Sequence, residues 1–317
     1  MKLFADYHTH TTYSHGRGSV ADNVLAAKGA GLTAVAVTDH GPGSLPWLGV
    51  RELEDFEAIS AEAAALTALL SGMRVLSGVE ANVISVAGTL DVPPNVIAEL
   101  DVLLAGLHPT AIPASLGDAW KLIGLNGLRR FSPGLARRAR LENTKALVEC
   151  VYHYDVDIVT HPGLQLPIDT AELARAAAAR DTALEINCSH GHMTAEFVRV
   201  AAKAGASFAI NSDAHRPQDV GRLERGLSIA RQAGLRADQV INAVPGPESR
   251  RDRRSGHARV PARHHHRPVR GRQEPGSPGL GGSGLLLHRQ PSAYPLAETG
   301  GAVRPNRRQP DQSRLGH

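Results

Sequence analysis

The fold of this chain is organised around the stretch Phe4-Ala5-Asp6-Tyr7-His8-Thr9-His10-Thr11-Thr12-Tyr13-Ser14-His15. The stretch begins in an apolar run that predicts a strand, and because side chains alternate faces along a strand, His8 and His10 share one side. Two imidazoles placed in this way can chelate one cation. A His-x-His pair is a weak signal by itself, since histidine is also an ordinary loop residue. The metal prediction therefore depends on what the rest of the chain adds.

The composition favours a globular protein of a reducing compartment. The 317 residues allow one large domain or two small ones, and 42% hydrophobic residues are enough for a sizeable core. Cys150 and Cys188 show no disulfide spacing. Residues 1–20 lack the apolar centre of a signal peptide, and no apolar run reaches the roughly 18 residues of a membrane span. We expect a soluble, cytoplasmic protein that does not bind membranes.

The segment 245–317 differs from the rest of the chain. It holds 14 Arg, no Lys and five acidic residues, which gives it a net charge of +9. Since the whole chain has a formal net charge of +4, residues 1–244 have a net charge of −5. The basic total therefore gives no reason to expect nucleic-acid binding by residues 1–244. The segment is rich in proline and glycine and includes His264–His266, which predicts a disordered, low-complexity tail. A shifted reading frame is our hypothesis for its origin, and a basic arm for nucleic acid is the alternative.

Short apolar runs alternate with alanine-rich helical patterns along residues 1–244, which predicts parallel strands joined by crossover helices. Seven runs favour a closed or nearly closed barrel, with an open doubly wound sheet as the competing architecture. The predicted strands are Leu3–Tyr7, Thr33–Thr38, Arg74–Val79, Val102–Gly106, Asp157–Thr160, Ala183–Asn187 and Ser207–Asn211. The predicted helices are Val20–Ala30, Arg51–Leu70, Leu141–His153, Thr170–Arg180, Thr194–Ala204 and Gln218–Ala233.

Residues of the kind that bind metals follow six of these predicted strands at their carboxyl ends. In a parallel barrel those ends converge on one face, the usual place for an active site. Each residue alone could be a turn former or a helix cap. Together they would repel one another or require costly burial unless they share cations. In strand order they are His8 with His10, Asp39 with His40, Glu80, His108, His161, and Asp213 with His215.

In these residues the chain resembles the polymerase and histidinol phosphatase superfamily, known as PHP, and its stand-alone phosphatase branch in particular. The resemblance implies an α/β fold over residues 1–244, a distorted, TIM-like seven-stranded (β/α)7 barrel with a metal centre at the carboxyl ends of its strands. The matching segments occur in order from residue 6 to residue 215. They are Asp6-Tyr7-His8-Thr9-His10-Thr11, Thr38-Asp39-His40, Gly78-Val79-Glu80, Gly106-Leu107-His108, Thr160-His161-Pro162-Gly163 and Asn211-Ser212-Asp213-Ala214-His215.

Carried over residue by residue, the resemblance implies a centre of three divalent metal ions. One ion would take His8, His10, Glu80 and Asp213, a second would share Glu80 and take His108 and His161, and a third would take His15, His40 and His215. A nitrogen-rich donor set without thiolate suits transition metals better than calcium or magnesium. Zinc ranks first, with manganese or iron as alternatives. We further predict that Asp6 and Asp39 orient ligand imidazoles.

The implied reaction is hydrolysis of a small-molecule phosphomonoester by a metal-bridging hydroxide, with Glu80, Asp213 and His215 as the catalytic set. For substrate binding we predict Arg17 and Arg216, which flank proposed ligands and could grip phosphate. His190 and His192 could contact phosphate, donate a proton, or be ordinary loop residues.

A further basic segment, Pro109–Leu141, contains Arg129 and Arg130. It could be a lid that grips phosphate, although a solvated helical excursion is the more usual meaning of such a charge run. Mutagenesis of the two arginines can separate these alternatives.

Three alternatives to a general phosphatase remain open at this stage. Histidinol phosphatase and a nuclease acting on DNA ends both occur in the superfamily, but an acidic body disfavours a nuclease, which would need a basic groove. A non-catalytic metal-binding interaction module is the third, and the complete ligand set disfavours it. The sequence does not identify the substrate, the metal, the proton donor or the oligomeric state.

Overall fold

The computed structural model describes residues 1–246, and within them seven parallel strands form a sheet that curls into a nearly closed barrel. The sheet order follows the chain order, so each strand pairs with the next one along the sequence. An isolated parallel bridge between Thr9 and Ala214, beyond the first and last strands of the sheet, links its two edges. The predicted α/β barrel is confirmed, and the open doubly wound sheet is wrong.

The elements are labelled in chain order. The strands are β1 (Lys2–Leu3), β2 (Ala5–Asp6), β3 (Ala34–Val37), β4 (Arg74–Asn82), β5 (Val102–Gly106), β6 (Ile158–Val159), β7 (Ala183–Asn187), β8 (Ser207–Asn211) and β9 (Ala243–Val244). The α-helices are α1 (Val20–Gly29), α2 (Asp55–Leu69), α3 (Pro94–Ala98), α4 (Leu116–Asp118), α5 (Leu125–Leu128), α6 (Pro133–His153), α7 (Thr170–Ala179), α8 (Ala195–Lys203) and α9 (Glu224–Ala233). The remaining helical segments are π-helical at Ala119–Gly124 and 3₁₀-helical at Arg129–Phe131, Pro217–Asp219 and Ala237–Gln239.

Four of the seven predicted strands differ from the observed ones: β3 and β6 are one residue shorter at each end, and two others differ more. The predicted run Leu3–Tyr7 divides into β1, which pairs antiparallel with β9, and β2, which enters the barrel. The third predicted strand continues to Asn82, so Glu80 lies within β4 instead of after it. Since side chains in a strand are held by neighbours on both sides, Glu80 is placed more rigidly than a loop residue would be.

Three helices begin well away from their predicted starts. One of them, α2, begins at Asp55, not Arg51. Helix α6 begins at Pro133, not Leu141, because Ser132 caps it by accepting a hydrogen bond from the Gly134 N–H at 3.2 Å and proline suits the first helical position. Helix α9 begins at Glu224, not Gln218. Before it, Gly221 takes a positive φ of 77° and its N–H donates to Asp6 Oδ2 at 2.9 Å.

The strands bury both faces, as parallel strands covered by helices do. Alternation along β3 shows the two layers: Ala34 and Ala36 belong to the apolar cluster inside the barrel, and Val35 and Val37 to the one between barrel and helices. The inner cluster is rich in alanine, which lets the short strands close into a narrow barrel. Polar residues then follow at the carboxyl ends, above this apolar plug.

Among residues 1–246, no helix is both long and apolar enough to cross a membrane. The predicted tail, residues 245–317, lies outside the described residues apart from its first two positions, so its disorder, its origin and the domain boundary at residue 244 stay predictions.

Candidate metal centre

Glu80 lies at the middle of the polar cluster and is almost completely buried, with 1% of its surface exposed. Its Oε2 atom faces three imidazoles that come from the loops after β2 and β3. The distances are 3.2 Å to His8 Nε2, 3.5 Å to His10 Nε2 and 3.1 Å to His40 Nδ1. One carboxylate oxygen therefore meets three nitrogen donors.

The other oxygen of Glu80 meets two imidazoles from the loops after β5 and β6. Oε1 lies 3.2 Å from His108 Nε2 and 3.0 Å from His161 Nε2, and these two nitrogens are 3.2 Å apart. Asn82 fixes the His108 ring, because its amide nitrogen donates to Asp91 Oδ2 at 2.6 Å and leaves its oxygen to accept from His108 Nδ1 at 2.8 Å. His108 Nε2 thus keeps its lone pair for the cluster.

Asp213 closes the cluster from the loop after β8. Its Oδ1 atom lies 3.5 Å from His8 Nε2 and 3.3 Å from His10 Nε2, while Oδ2 lies 3.1 Å from His190 Nε2. Asp213 has a positive φ of 55°, a region that aspartate enters more readily than most residues. This backbone turn aims the carboxylate back into the barrel mouth.

A group of closely packed imidazoles lies on the outer side of the cluster. Ring centroids are 4.3 Å apart for both His10–His215 and His15–His215, and 5.1 Å apart for His15–His40. His15 Nδ1 donates to the Leu48 carbonyl at 3.0 Å, and His215 Nδ1 donates to the Asp213 carbonyl at 3.0 Å. Since carbonyls only accept, both rings carry their proton on Nδ1 and keep the Nε2 lone pair.

The electrostatics separate the carboxylates from the outer imidazoles. Burial raises the pKa of the Glu80 carboxyl, but His8, His40 and His108 outweigh it and hold that pKa well below its usual range. Burial lowers the pKa of His40 far below its usual value, and burial with the nearby His10 lowers that of His215 to about 4. At neutral pH the Glu80 carboxyl is therefore ionised and the His40 and His215 imidazoles are neutral, the forms that bind divalent cations.

The donor set fits a metal ion. His8 Nε2 and His10 Nε2 lie 3.1 Å apart, and the buried His10 Nδ1 has no hydrogen-bond partner among the described residues. His40 Nδ1 is 3.1 Å from Glu80 Oε2 but is not aligned for a hydrogen bond to it. A zinc–nitrogen bond of about 2.1 Å in a tetrahedral site places ligand atoms about 3.4 Å apart, close to these spacings. Among residues 1–246, three sets of side chains have ligand atoms within 4.8 Å of one another: His8 with His10 and Asp213, His40 with Glu80 and His108, and His10 with His40 and His215.

All nine residues predicted as metal ligands lie in this cluster, but their grouping differs in detail from the predicted one. His40 groups with Glu80 and His108, and His10 takes the place predicted for His15 beside His215. His161 contacts Glu80, and His15 stacks on His40. How the nine divide among ions therefore stays a prediction.

The predicted role of Asp6 and Asp39 as partners of imidazoles is wrong. Asp6 accepts from the backbone N–H groups of Ser212 at 3.0 Å and Gly221 at 2.9 Å. Asp39 accepts from the backbone N–H and the hydroxyl of Thr11 at 2.8 and 2.6 Å. Both carboxylates therefore fix the loops that carry the proposed metal ligands. They do so because N–H and hydroxyl groups of neighbouring turns lie closer to them than any imidazole ring does.

Glu185 takes a role that the sequence analysis missed. It lies in β7, is fully buried, and its Oε1 atom is 2.7 Å from His8 Nδ1. Burial raises the pKa of its carboxyl, but His8 and His161 outweigh that effect and lower it. An acidic residue inside an apolar strand run is a signal that could have found it, since a buried carboxylate needs partners.

Arg17 and Arg216 line one cleft of about 480 Å³ beside the outer imidazoles, together with Asp22, Leu25, Pro217 and Gln218. The Arg17 backbone N–H donates to the His215 carbonyl at 2.9 Å, which ties the cleft to the cluster. His190 reaches Asp213, as described above, whereas His192 stacks on Phe197 with ring centroids 5.7 Å apart.

The basic segment after β5 is helical and its two central arginines make local contacts. Arg129 Nη1 donates to the Asn126 carbonyl at 3.1 Å, and the Arg130 guanidinium lies 4.8 Å from the centre of the Phe131 ring. These contacts match the solvated helical excursion, and the lid stays a prediction.

The sequence of this chain is similar to a known protein family and to proteins named as phosphatases. A family model described as PHP domain matches residues 6–160. The chain is 31% identical over 256 residues to a protein of Thermoanaerobacter sp. (strain X514) named "Probable phosphatase", covering 78% of this chain and 93% of that protein. A protein of the same name from Shewanella pealeana (strain ATCC 700345 / ANG-SQ1) is 29% identical over 255 residues, covering 77% and 90%.

A solved structure shares the fold at low sequence identity. The crystal structure of histidinol phosphate phosphatase from Lactococcus lactis subsp. lactis Il1403, complexed with zinc, L-histidinol and phosphate, matches with a TM-score of 0.52 at 15% identity. The match covers 74% of this chain and 95% of that one.

Proposed function

The chain belongs to the PHP domain family, as its motifs indicated, and on that premise we propose that it hydrolyses small-molecule phosphomonoesters at a centre of three divalent cations. The broader assignment, an enzyme of the phosphoric monoester hydrolase class, is supported by its relatives named phosphatase. The observation that carries the finer proposal is Glu80: one buried carboxylate with five imidazoles within 3.5 Å, three on one oxygen and two on the other.

We assign the ions to the three ligand groups that the resemblance implies. Glu80 would be shared between two of them, since its oxygens face different imidazoles. When bound, the cations supply Lewis-acid charge that activates a water molecule and neutralises phosphoryl oxygens. Zinc is the first choice because imidazole nitrogens dominate the donor set and no thiolate is present, and the Lactococcus lactis protein with the same fold was crystallised with zinc.

The chain's own residues bind and orient the substrate. We assign Arg17 and Arg216 to the substrate phosphate, because guanidinium groups match phosphate oxygens in pairs and both lie in the cleft beside the cluster. We also assign His190 to the same phosphate, because its side chain is 42% exposed at the rim and its Nε2 lies 3.1 Å from Asp213 Oδ2. The apolar plug below the cluster keeps bulk water out of the barrel.

The test is to strip the purified protein with a chelator, restore zinc, manganese or iron separately, and measure bound metal by elemental analysis. Each form is then assayed on a chromogenic phosphomonoester, histidinol phosphate and a single-stranded oligonucleotide. We expect up to three ions per chain and turnover of monoesters that depends on metal. Preference for histidinol phosphate would narrow the substrate, whereas oligonucleotide cleavage alone would indicate the nuclease. Fewer than one ion per chain with no turnover after reconstitution would indicate an interaction module.

A further inference from the structure

The Glu185 carboxylate is surrounded by hydrogen-bond donors on both of its oxygens. Oε1 lies 2.7 Å from His8 Nδ1 and accepts from Asn211 Nδ2 at 3.0 Å. Oε2 accepts from the His161 backbone N–H at 2.7 Å and from Asn187 Nδ2 at 3.0 Å. A fully buried carboxylate with four partners is satisfied only when all four donate.

Independent contacts fix the orientation of both amides. Asn211 Oδ1 accepts from the Tyr7 backbone N–H at 3.1 Å, so its amide nitrogen must face Glu185. Asn187 Oδ1 accepts from the backbone N–H groups of Ser189 and His190 at 2.9 and 3.0 Å, with the same result. No neighbour of Glu185 in this set accepts, so the carboxylate is ionised and His8 Nδ1 carries a proton.

We propose that Glu185 is a positioning residue of the metal centre: it holds His8 with a proton on Nδ1, so that Nε2, which lies 3.2 Å from Glu80 Oε2 and 3.5 Å from Asp213 Oδ1, is the nitrogen left to bind a cation. A carboxylate on the far nitrogen of a ligating histidine commonly fixes the tautomer and raises the basicity of the ligand nitrogen. Glu185 also sets the His161 backbone, and Asn187 Nδ2 bridges it to Asp213 Oδ2 at 3.1 Å. One residue therefore orders three proposed ligands from three strand ends. The inference rests on the proposed metal centre.

The test compares E185Q with the wild type and with E142Q. Glutamine keeps the size of residue 185 but places an NH₂ group among four donors, so His8 loses its acceptor or turns. We expect 10–100-fold weaker binding of Zn²⁺ by chelator competition, of the size seen when partners of metal ligands are removed, and a changed visible absorption spectrum in the Co²⁺-loaded protein. Glu142, a buried carboxylate on α6 that pairs with Arg138 at 3.4 Å, undergoes the same chemical change away from the cluster. E142Q should keep wild-type affinity.

Equal Zn²⁺ affinity of E185Q and wild type would overturn the positioning role while leaving the proposed function intact. Absence of metal binding by the wild type would overturn both. If E185Q does not fold, the positioning role is tested on the wild-type protein by nuclear magnetic resonance. In the zinc-loaded protein with ¹⁵N-labelled histidines, the His8 resonance, assigned by its loss in H8N, should show a protonated Nδ1 and an unprotonated Nε2. A protonated Nε2 would refute the inference.

Discussion

The mouth of the barrel and the helical segment after β5 are both rich in charged residues, yet they are built in opposite ways. At the mouth, Glu80 and His8 are buried and their contacts join residues far apart in sequence; His8 and Glu185 are 177 positions apart. In the segment after β5, Leu116 is 92% exposed and Phe131 is 68% exposed. Its arginines bond to their own neighbours.

The difference between the two regions indicates which charged residues belong to a functional site. A buried polar group costs several kcal/mol unless its partners are in place, so it persists only where the surrounding strands hold those partners. A charge on an exposed helical segment costs little and specifies little. Burial and long-range bonding therefore distinguish the candidate site from a charged surface more reliably than charge count does. Four experiments test this comparison.

The largest effect is expected from E80A. Removing the carboxylate leaves five imidazoles without their shared partner, and we expect activity on phosphomonoesters to fall about 10³-fold or more, because loss of metal charge stabilisation is worth several kcal/mol. Bound metal per chain, measured by elemental analysis, should fall with it. Full activity and full metal content in E80A would contradict the proposal that Glu80 is the central carboxylate of the metal site.

A pair of leucines compares the packing of the two regions. Leu104 lies in the apolar cluster inside the barrel and is fully buried, so L104A should lower the free energy of unfolding by about 2–5 kcal/mol. The exposed Leu116 is the matched control, and L116A should change the free energy of unfolding by no more than about 0.5 kcal/mol. Urea denaturation of both variants measures this free energy. Comparable losses would mean that the segment after β5 packs as tightly as the barrel.

The double variant R17A/R216A tests the cleft beside the cluster. Charge-assisted hydrogen bonds contribute about 1.5–3 kcal/mol each, so KM should rise about tenfold or more, while metal content stays unchanged. Steady-state kinetics on a chromogenic monoester measures it, with the exposed Arg231 on α9 replaced in R231A as the control. An unchanged KM would place the phosphate elsewhere.

The smallest effect is expected from R129A/R130A. Since these arginines contact Asn126 and Phe131 in their own segment, we expect KM and kcat to stay within about twofold of the wild type, as surface substitutions usually do. A KM raised as far as in R17A/R216A would instead support the lid and would blur the contrast between the two regions.

Much of the barrel and its ligands could be predicted because their signals are local. The boundaries of β5, β7 and β8 match the apolar runs, since the runs are as long as the strands. The start of α6 was missed although Ser132-Pro133 is a capping signal, because the basic residues that follow give no apolar period. The role of Asp39 was wrong because the sequence shows an acid beside His40 but not the Thr11 donors that reach it first.

The amino-acid sequence by itself determined the kinds of residue that stand at each strand end, because strand periodicity and ligand chemistry are properties of short segments. Only the tertiary structure decided which nitrogen of each ring faces the cluster. That choice depends on hydrogen-bond partners such as Asn82 for His108 and Glu185 for His8, which fold beside their rings from other strands. An imidazole binds a cation through the nitrogen that its neighbours leave unprotonated.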